Sequence, residues 1–209
     1  MRKVALLWAF IVGISFPSLA QKDKKASEVL DAMSKKYQTL NSYKALFSYA
    51  GEGGTYKGDL TVKKAAFRLK LAGQEVFTDG KTMSTYIKET NEVNVQDYDA
   101  GAAGDFNPTK IYSIYKQGYN YKYIGEQKQG GQAVEVVELT PEKKNTQITK
   151  VQISVNKADK SVKGWKLTDK TGKLTTYTID KFTPNVAVAD SYFVFDKSKY
   201  PGVEVVDLR

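Results

Sequence analysis

The residues that most often carry enzyme chemistry are scarce in this sequence. Its 209 residues include no His and no Cys, which excludes imidazole bases, the usual serine triad, thiolate catalysis and Cys or His metal sites. Asp97 and Asp99 flank Tyr98, but such a pair at the end of a strand is more typical of a solvated turn than of a calcium site. Residues 51–54 (GEGG) lack the Lys and the helix that complete a phosphate-binding loop. We therefore expect a protein that is not an enzyme and needs no metal or cofactor.

An apolar sheet face is the remaining means of binding. Within residues 58–86, apolar side chains occupy alternate positions of two runs, which gives each strand one apolar and one solvated face. Asp79-Gly80 predicts a tight hairpin in which both residues have positive φ. An apolar face of this kind either fills a plain core or, in a strongly curved sheet, encloses a cavity for a hydrophobic ligand. The alternating apolar residues are Leu60, Val62, Phe67, Leu69 and Leu71.

The first 20 residues have the pattern of a secretory signal peptide. A basic start precedes an apolar run over residues 4–16, and Ser18 and Ala20 stand where a signal peptidase reads small residues. The run is shorter than the roughly 20 residues of a membrane span, so an N-terminal anchor is the less favoured alternative. We expect cleavage after Ala20 and a single domain over residues 21–209. Because no Cys follows the cleavage site, we expect no lipid anchor and a soluble chain that is not integral to a membrane.

Hydrophobic periodicity predicts a helix over residues 27–40 and then a mainly β chain. The number of strands, about eleven, suits a barrel or a strongly curved antiparallel sheet. The strands are predicted over residues 43–49, 55–63, 66–71, 75–78, 81–87, 92–97, 119–126, 133–140, 147–156, 162–169 and 174–182, with further extended segments over 192–195 and 203–206.

A second short helix interrupts the strands. Residues 99–105 (DAGAAGD) are too small and flexible to continue a sheet. Asn107-Pro108 then provides an N-cap and a proline at the first helical position, and Gly118 ends the helix. Its apolar stripe fits either a movable lid or an ordinary helix packed on a core. The stripe consists of Ile111, Tyr112, Ile114 and Tyr115.

The charge balance is basic, with 32 Lys and Arg against 23 Asp and Glu. Removal of residues 1–20 would leave a net charge of about +7. Most of the lysines alternate with apolar residues, which is typical of a solvated sheet face, and a basic surface could aid encounter with acidic partners or an anionic membrane. We expect no nucleic-acid partner, because the chain carries an export signal and no recognition motif.

Four segments together resemble the LolA family of periplasmic outer-membrane lipoprotein carriers. Residues 41–48 (NSYKALFS) are similar to the family's SF-x-A-x-FTQ, and residues 58–64 (GDLTVKK) to its G-x-L-x-VKRP. Residues 67–69 (FRL) and 78–81 (TDGK) with Tyr86 resemble F-x-W…SDGK-x-LW-x-Y. Residues 193–195 (FVF) and 200–203 (YPGV) resemble F-x-F-x-P-P-x-GV. Each motif alone is weak, but their order and spacing are fairly specific.

This resemblance implies an incomplete, half-open β-barrel covered by two or three short α-helices, with lipid bound on the concave face. It implies a periplasmic carrier that receives acylated lipoproteins from an inner-membrane ABC exporter and delivers them to the outer membrane, either directly or through an acceptor. We expect this carrier to be a monomer. The family's Arg of the lid latch is replaced by Lys64, which lacks the planar guanidinium fork, and its Trp by Leu69. The expected lipid-binding residues are Phe47, Leu60, Val62, Phe67, Leu69, Met83, Ile111, Ile114 and Tyr115.

Three alternatives remain open. A sensor of mislocalised lipid or lipoprotein of the RseB type would share the half-barrel but carry a second domain. A carrier of the same fold could be dedicated to another lipid or a pigment precursor. A lipid esterase is disfavoured by the missing His, and the lipidated acceptor of this system is excluded by the missing Cys.

Overall fold

The computed structural model describes residues 23–99, 109, 111–116, 118–143 and 146–209. The predicted signal peptide, most of the 99–105 stretch and the helix start at Asn107-Pro108 lie outside these residues. No helix of the described part has the length and apolar character needed to cross a membrane.

One twelve-stranded sheet forms the body of the protein. Its order is β12-β6-β5-β4-β3-β2-β1-β11-β10-β9-β8-β7, with β12 and β7 at its two edges, so the sheet is not closed. This confirms the open curved sheet, with twelve strands in place of about eleven. The strands are β1 Ser42–Gly51, β2 Gly54–Lys63, β3 Ala66–Leu71, β4 Gln74–Thr78, β5 Thr82–Ile87, β6 Glu92–Asp97, β7 Tyr119–Gln129, β8 Gln132–Pro141, β9 Ile148–Asn156, β10 Val162–Asp169, β11 Leu174–Pro184 and β12 Glu204–Asp207.

The pairing of β1 with β11 joins the two halves of the chain. Phe47 lies opposite Ile179, and Tyr49 opposite Tyr177, across about 130 residues of sequence. All other neighbours are antiparallel hairpin partners except β12, which returns to pair in parallel with β6. Long-range pairing of this kind brings residues from both halves onto one face.

The single α-helix of the described part, α1, covers Lys24–Gln38. It begins three residues earlier than predicted because Asp23 caps it, with Oδ1 accepting a hydrogen bond from the Ala26 N–H at 3.1 Å. Oδ2 accepts from the Tyr123 N–H at 2.9 Å, which ties the helix start to edge strand β7. These hydrogen bonds lower the pKa of Asp23, the one from Tyr123 most strongly.

Three further helices are 3-10 helices, at Ile111–Lys116, Asp190–Phe193 and Lys197–Lys199. The second helix, expected to be an α-helix, is therefore a six-residue 3-10 helix. The extended segment predicted over residues 192–195 is wrong for residues 192 and 193, which belong to the second 3-10 helix. The Asp79-Gly80 turn also differs from the prediction, since only Gly80 has positive φ, at 93°. The Asp79 carboxylate instead accepts the backbone N–H groups of Lys81 and Thr82, which stabilises a longer loop.

The segment after β11 crosses one face of β1–β4. Phe193 is 1% exposed there, and the Arg68 guanidinium lies 4.6 Å from the ring centroids of both Phe77 and Tyr192. Arg68 also pairs with Glu75, which accepts a hydrogen bond from the Tyr200 hydroxyl at 2.9 Å. This face of the sheet is therefore covered by the chain's own C-terminal segment.

Candidate functional site

The strand register places the predicted lipid-binding residues of the strands on one side of the sheet. Tyr43, Val62, Phe67 and Met83 lie in one row across β1, β2, β3 and β5. We call the side that bears this row the inner face; α1 packs there. The side that bears Arg68 is the outer face. Phe47, Leu60 and Leu69 also belong to the inner face.

Part of the inner face is a packed core under α1. Val62, Phe67 and Tyr115 are all buried in it. Their side chains are therefore enclosed, and a ligand reaches them only if a covering element moves. The core also holds Val29, Leu30, Met33, Tyr37, Tyr43, Tyr119, Val137, Leu139, Val151, Ile153, Val155, Val162 and Leu167.

The rest of the inner face is a partly open apolar surface, which we call the trough. Its floor consists of the buried side chains of Ala45, Phe47 and Ile179. Half-buried side chains of both halves of the chain surround the floor, and all of them except Tyr49 and Leu71 also contact the main core. The trough is lined by Tyr49, Leu60, Leu69, Leu71, Trp165, Tyr177 and Phe182.

An aromatic row crosses the trough on four neighbouring strands. Tyr56 and Tyr49 have ring centroids 6.1 Å apart, and Tyr49 meets Tyr177 edge to face at 5.2 Å. Tyr177 then stacks on Trp165 at 4.9 Å with ring planes 20° apart. Tyrosine combines an apolar ring with a polar tip, so the row is suited to the boundary between an acyl chain and its polar group.

The 3-10 helix at Ile111–Lys116 is held against α1 by two tyrosines. The Tyr115 hydroxyl donates to Asp31 Oδ1 at 2.6 Å, and burial together with this bond raises the pKa of Tyr115. The Tyr112 ring stacks on Tyr37 with centroids 5.6 Å apart. Ile114 is half-buried against the main core; the Ile111 side chain lies outside the described residues. This helix occupies the position that a lid over the inner face would need.

Two other predicted residues are less well placed. Met83 shares the inner face but belongs to neither the main core nor the trough. Lys64 lies in the β2–β3 turn at φ 55°, beside a pocket of about 300 Å³ that Tyr43, Val62 and Tyr112 also line. Among the described residues no hydrogen bond from Lys64 is found. Its role as a latch stays a prediction.

The trough residues that the sequence analysis missed come mostly from the second half of the chain. Trp165 and Tyr177 were assigned to strands but not to the site, since nothing local indicates that β11 pairs with β1. Tyr49 and Leu71 were assigned to apolar strand faces, and their alternation with polar residues was the signal that could have extended the site to them.

A larger pocket of about 460 Å³ lies on the outer face, between the sheet and residues 186–200. Lys44, Arg68 and Lys199 line it and pair with Asp59, Glu75 and Asp196. Phe77, Val186 and Val188 give the pocket an apolar part, but acyl chains gain little beside charged groups that must stay hydrated. The inner face is therefore the better candidate for a hydrophobic ligand.

Among the residues that the structure describes, no three acidic side chains converge where they could hold a metal ion. Glu135 has a side chain only 2% exposed, but Lys25 and Lys160 bind it at 3.0 and 2.8 Å and fix α1 to the sheet. Burial alone would raise the pKa of Glu135; the hydrogen bonds from Lys160 and Lys25 outweigh it and lower the pKa.

The comparisons with known proteins agree with this architecture. The family model of the outer membrane lipoprotein carrier protein LolA matches residues 38–196. An uncharacterized conserved protein from Thermus thermophilus superposes with a TM-score of 0.62 at 13% identity, covering 88% of this chain and 99% of that one. No curated protein sequence matches the chain.

Two further solved structures have the same fold. One, the MucA/MucB complex of Pseudomonas aeruginosa, gives a TM-score of 0.53 at 18% identity, covering 83% of this chain and 62% of the matched one. LprF from Mycobacterium bovis gives a TM-score of 0.50 at 13% identity, covering 80% of this chain and 97% of the matched one. At these identities the structures establish a shared fold alone.

Proposed function

Because this chain belongs to the LolA family of lipoprotein carriers, we propose that it binds the acyl chains of lipoproteins in the periplasm and carries them between membranes. The trough is the observation that carries the proposal. It is apolar, lies on the inner face and is lined by half-buried side chains from both halves of the sheet.

The energetics explain why a carrier is needed. Each CH₂ group that leaves water contributes about 0.8 kcal/mol, so a lipoprotein with two or three acyl chains does not leave a membrane unshielded. A trough lined by Leu60, Leu69 and Leu71 replaces part of the lipid environment. Its half-open form also keeps the binding reversible, which delivery requires.

The way in which the inner face is covered supports the proposal of a lid. The 3-10 helix at Ile111–Lys116 rests on α1 through the Tyr115–Asp31 hydrogen bond and the Tyr112–Tyr37 stack. Both contacts can be exchanged for contacts with a ligand, so the helix acts as a lid whose displacement exposes Val62 and Phe67. Phe47, Leu60, Leu69, Ile111, Ile114 and Tyr115 complete the proposed lipid-binding set, with Met83 at its margin.

The proposed partners follow from the same role. Acylated lipoproteins are the cargo, an inner-membrane ABC exporter supplies them, and the outer membrane or an acceptor in it receives them. A binding protein for another hydrophobic ligand, used in sensing or in dedicated lipid transport, is the alternative.

A matched pair of variants tests the site. Leu69→Glu places a charge in the trough, whereas Leu46→Glu places the same charge on the outer face, where Leu46 is 38% exposed. We expect Leu69→Glu to abolish co-purification with an acylated lipoprotein and Leu46→Glu to preserve it, with both variants folded by circular dichroism. Unchanged co-purification in folded Leu69→Glu would refute the trough as the binding site.

A further inference from the structure

The trough contains a polar atom without a partner. The Nε1 atom of Trp165 is buried and, among the described residues, finds no hydrogen-bond acceptor; no other buried side-chain nitrogen or oxygen of that part lacks one. Buried donors in native proteins are nearly always paired, and an unpaired one costs about 1–3 kcal/mol. Because Trp165 lines the proposed binding surface, a bound ligand could supply the missing acceptor.

The position of Trp165 indicates which kind of acceptor group a ligand would present to Nε1. Its indole stacks on Tyr177 at the end of the aromatic row and borders the trough floor. The Tyr56 hydroxyl at the other end of the row donates to the Gly53 carbonyl oxygen, whereas the indole N–H is a buried polar group without a partner. The polar group is therefore expected where an acyl chain ends, not in its middle.

We infer that Trp165 Nε1 recognises the carbonyl oxygen that joins an acyl chain to its ester or amide. This inference rests on the proposed function and assigns the polar end of the site. The indole as a whole is half-buried, but Nε1 itself is buried, so a ligand that enters the trough reaches the N–H when the side chains beside the indole move. An alkyl ether of the same length lacks the carbonyl oxygen that projects from the chain. Its own oxygen lies within the chain between two CH₂ groups, so it does not reach the N–H in the same position.

Two probes that differ in this one group test the inference. They are 1-palmitoylglycerol, which has an ester carbonyl, and 1-O-hexadecylglycerol, which has an ether, titrated into the full chain by calorimetry. We expect the ester to bind about 5- to 30-fold more tightly, as one hydrogen bond to an otherwise unpaired donor provides. Trp165→Phe keeps the aromatic ring and removes the donor, and it should reduce the ratio to about one. Tyr192→Phe, which removes a hydroxyl from the outer face beside Arg68, is the control and should keep the ratio.

The possible outcomes distinguish a failure of the proposed role of Trp165 from a failure of the proposed carrier function. Equal affinities of the two probes in the wild type, or a ratio unchanged in folded Trp165→Phe, would overturn the role of Trp165 while leaving the carrier function intact. Binding of neither probe would overturn both. Palmitate is the third probe: a preference that depends on Trp165 and is confined to palmitate would assign the acceptor to a free carboxylate and overturn the ester or amide assignment.

Discussion

The ring of Phe47 lies across Gly58 on the neighbouring strand, so that a Cβ at Gly58 would stand 2.1 Å from Phe47 Cζ. The two residues are directly opposite in the β1–β2 register. Glycine thus makes room for an aromatic ring that lies flat on the sheet and forms the trough floor. The trough therefore depends on one missing side chain.

Gly58→Ala should force the Phe47 ring out of this position. We expect a loss of about 1–3 kcal/mol in the free energy of unfolding, the usual cost of overpacking a filled site. Denaturant unfolding measures it. In the double variant Gly58→Ala with Phe47→Ala the two changes should be non-additive, because the clash disappears with the ring; additive effects would show that the ring and the glycine do not interact.

Glu135 should contribute to stability in a pH-dependent way. Its pKa is lowered from 4.5 in the fold, so its contribution is complete above the unfolded pKa and is lost as the pH falls through the folded pKa. Removing one partner of a buried ion pair is destabilising, but Lys25 and Lys160 are partly exposed and can return to water.

We therefore expect Glu135→Gln to lower the free energy of unfolding by about 1–2 kcal/mol at pH 7. The difference from the wild type should shrink as the pH falls below 4.5. Unfolding curves at pH 7 and pH 3.5 measure both values. A difference that stays constant over this range would show that the carboxylate charge does not hold α1 to the sheet.

The C-terminal segment should be an integral part of the fold. Phe193 is 1% exposed, whereas its neighbour Val194 is 52% exposed. Phe193→Ala should cost about 3–5 kcal/mol of stability through the cavity it leaves, and Val194→Ala less than about 0.5 kcal/mol. Thermal unfolding compares the two. Similar small shifts in both variants would place the segment outside the cooperative fold.

Lys64 should be replaceable by glycine with a gain in stability. Its φ of 55° is a left-handed conformation that a side chain disfavours. Lys64→Gly should raise the free energy of unfolding by about 0.5–1 kcal/mol, provided that no contact of the lysine is lost. A loss of stability together with altered release of an acyl ligand would instead support the latch role.

Local patterns predicted much of this fold. β3, β6 and β10 have the predicted bounds, because alternation of apolar and polar residues fixes an antiparallel strand between clear turns. The start of α1 was missed because Asp23 bonds to both the helix and strand β7. The short helix at Ile111–Lys116 carries a helical stripe, and the sequence does not decide between α and 3-10 geometry.

The candidate site was only half predictable for a physical reason. Phe47, Leu60 and Leu69 follow one another along a meander, so their shared face can be read from the alternation. Trp165 and Tyr177 join them only through the β1–β11 pairing, which no local pattern encodes. The apolar stripe of α1 indicates that the helix packs on the apolar surface of the sheet, but it does not indicate which strands the helix covers.

Native mass spectrometry of the protein isolated from the envelope of its own host tests the central claim most directly. We predict a population whose mass exceeds that of the polypeptide by an acylated lipoprotein or its lipid, and whose extra mass is absent from folded Leu69→Glu. A wild-type protein that carries no acyl-containing ligand, and that takes up none when an acylated lipoprotein is offered, would contradict the account.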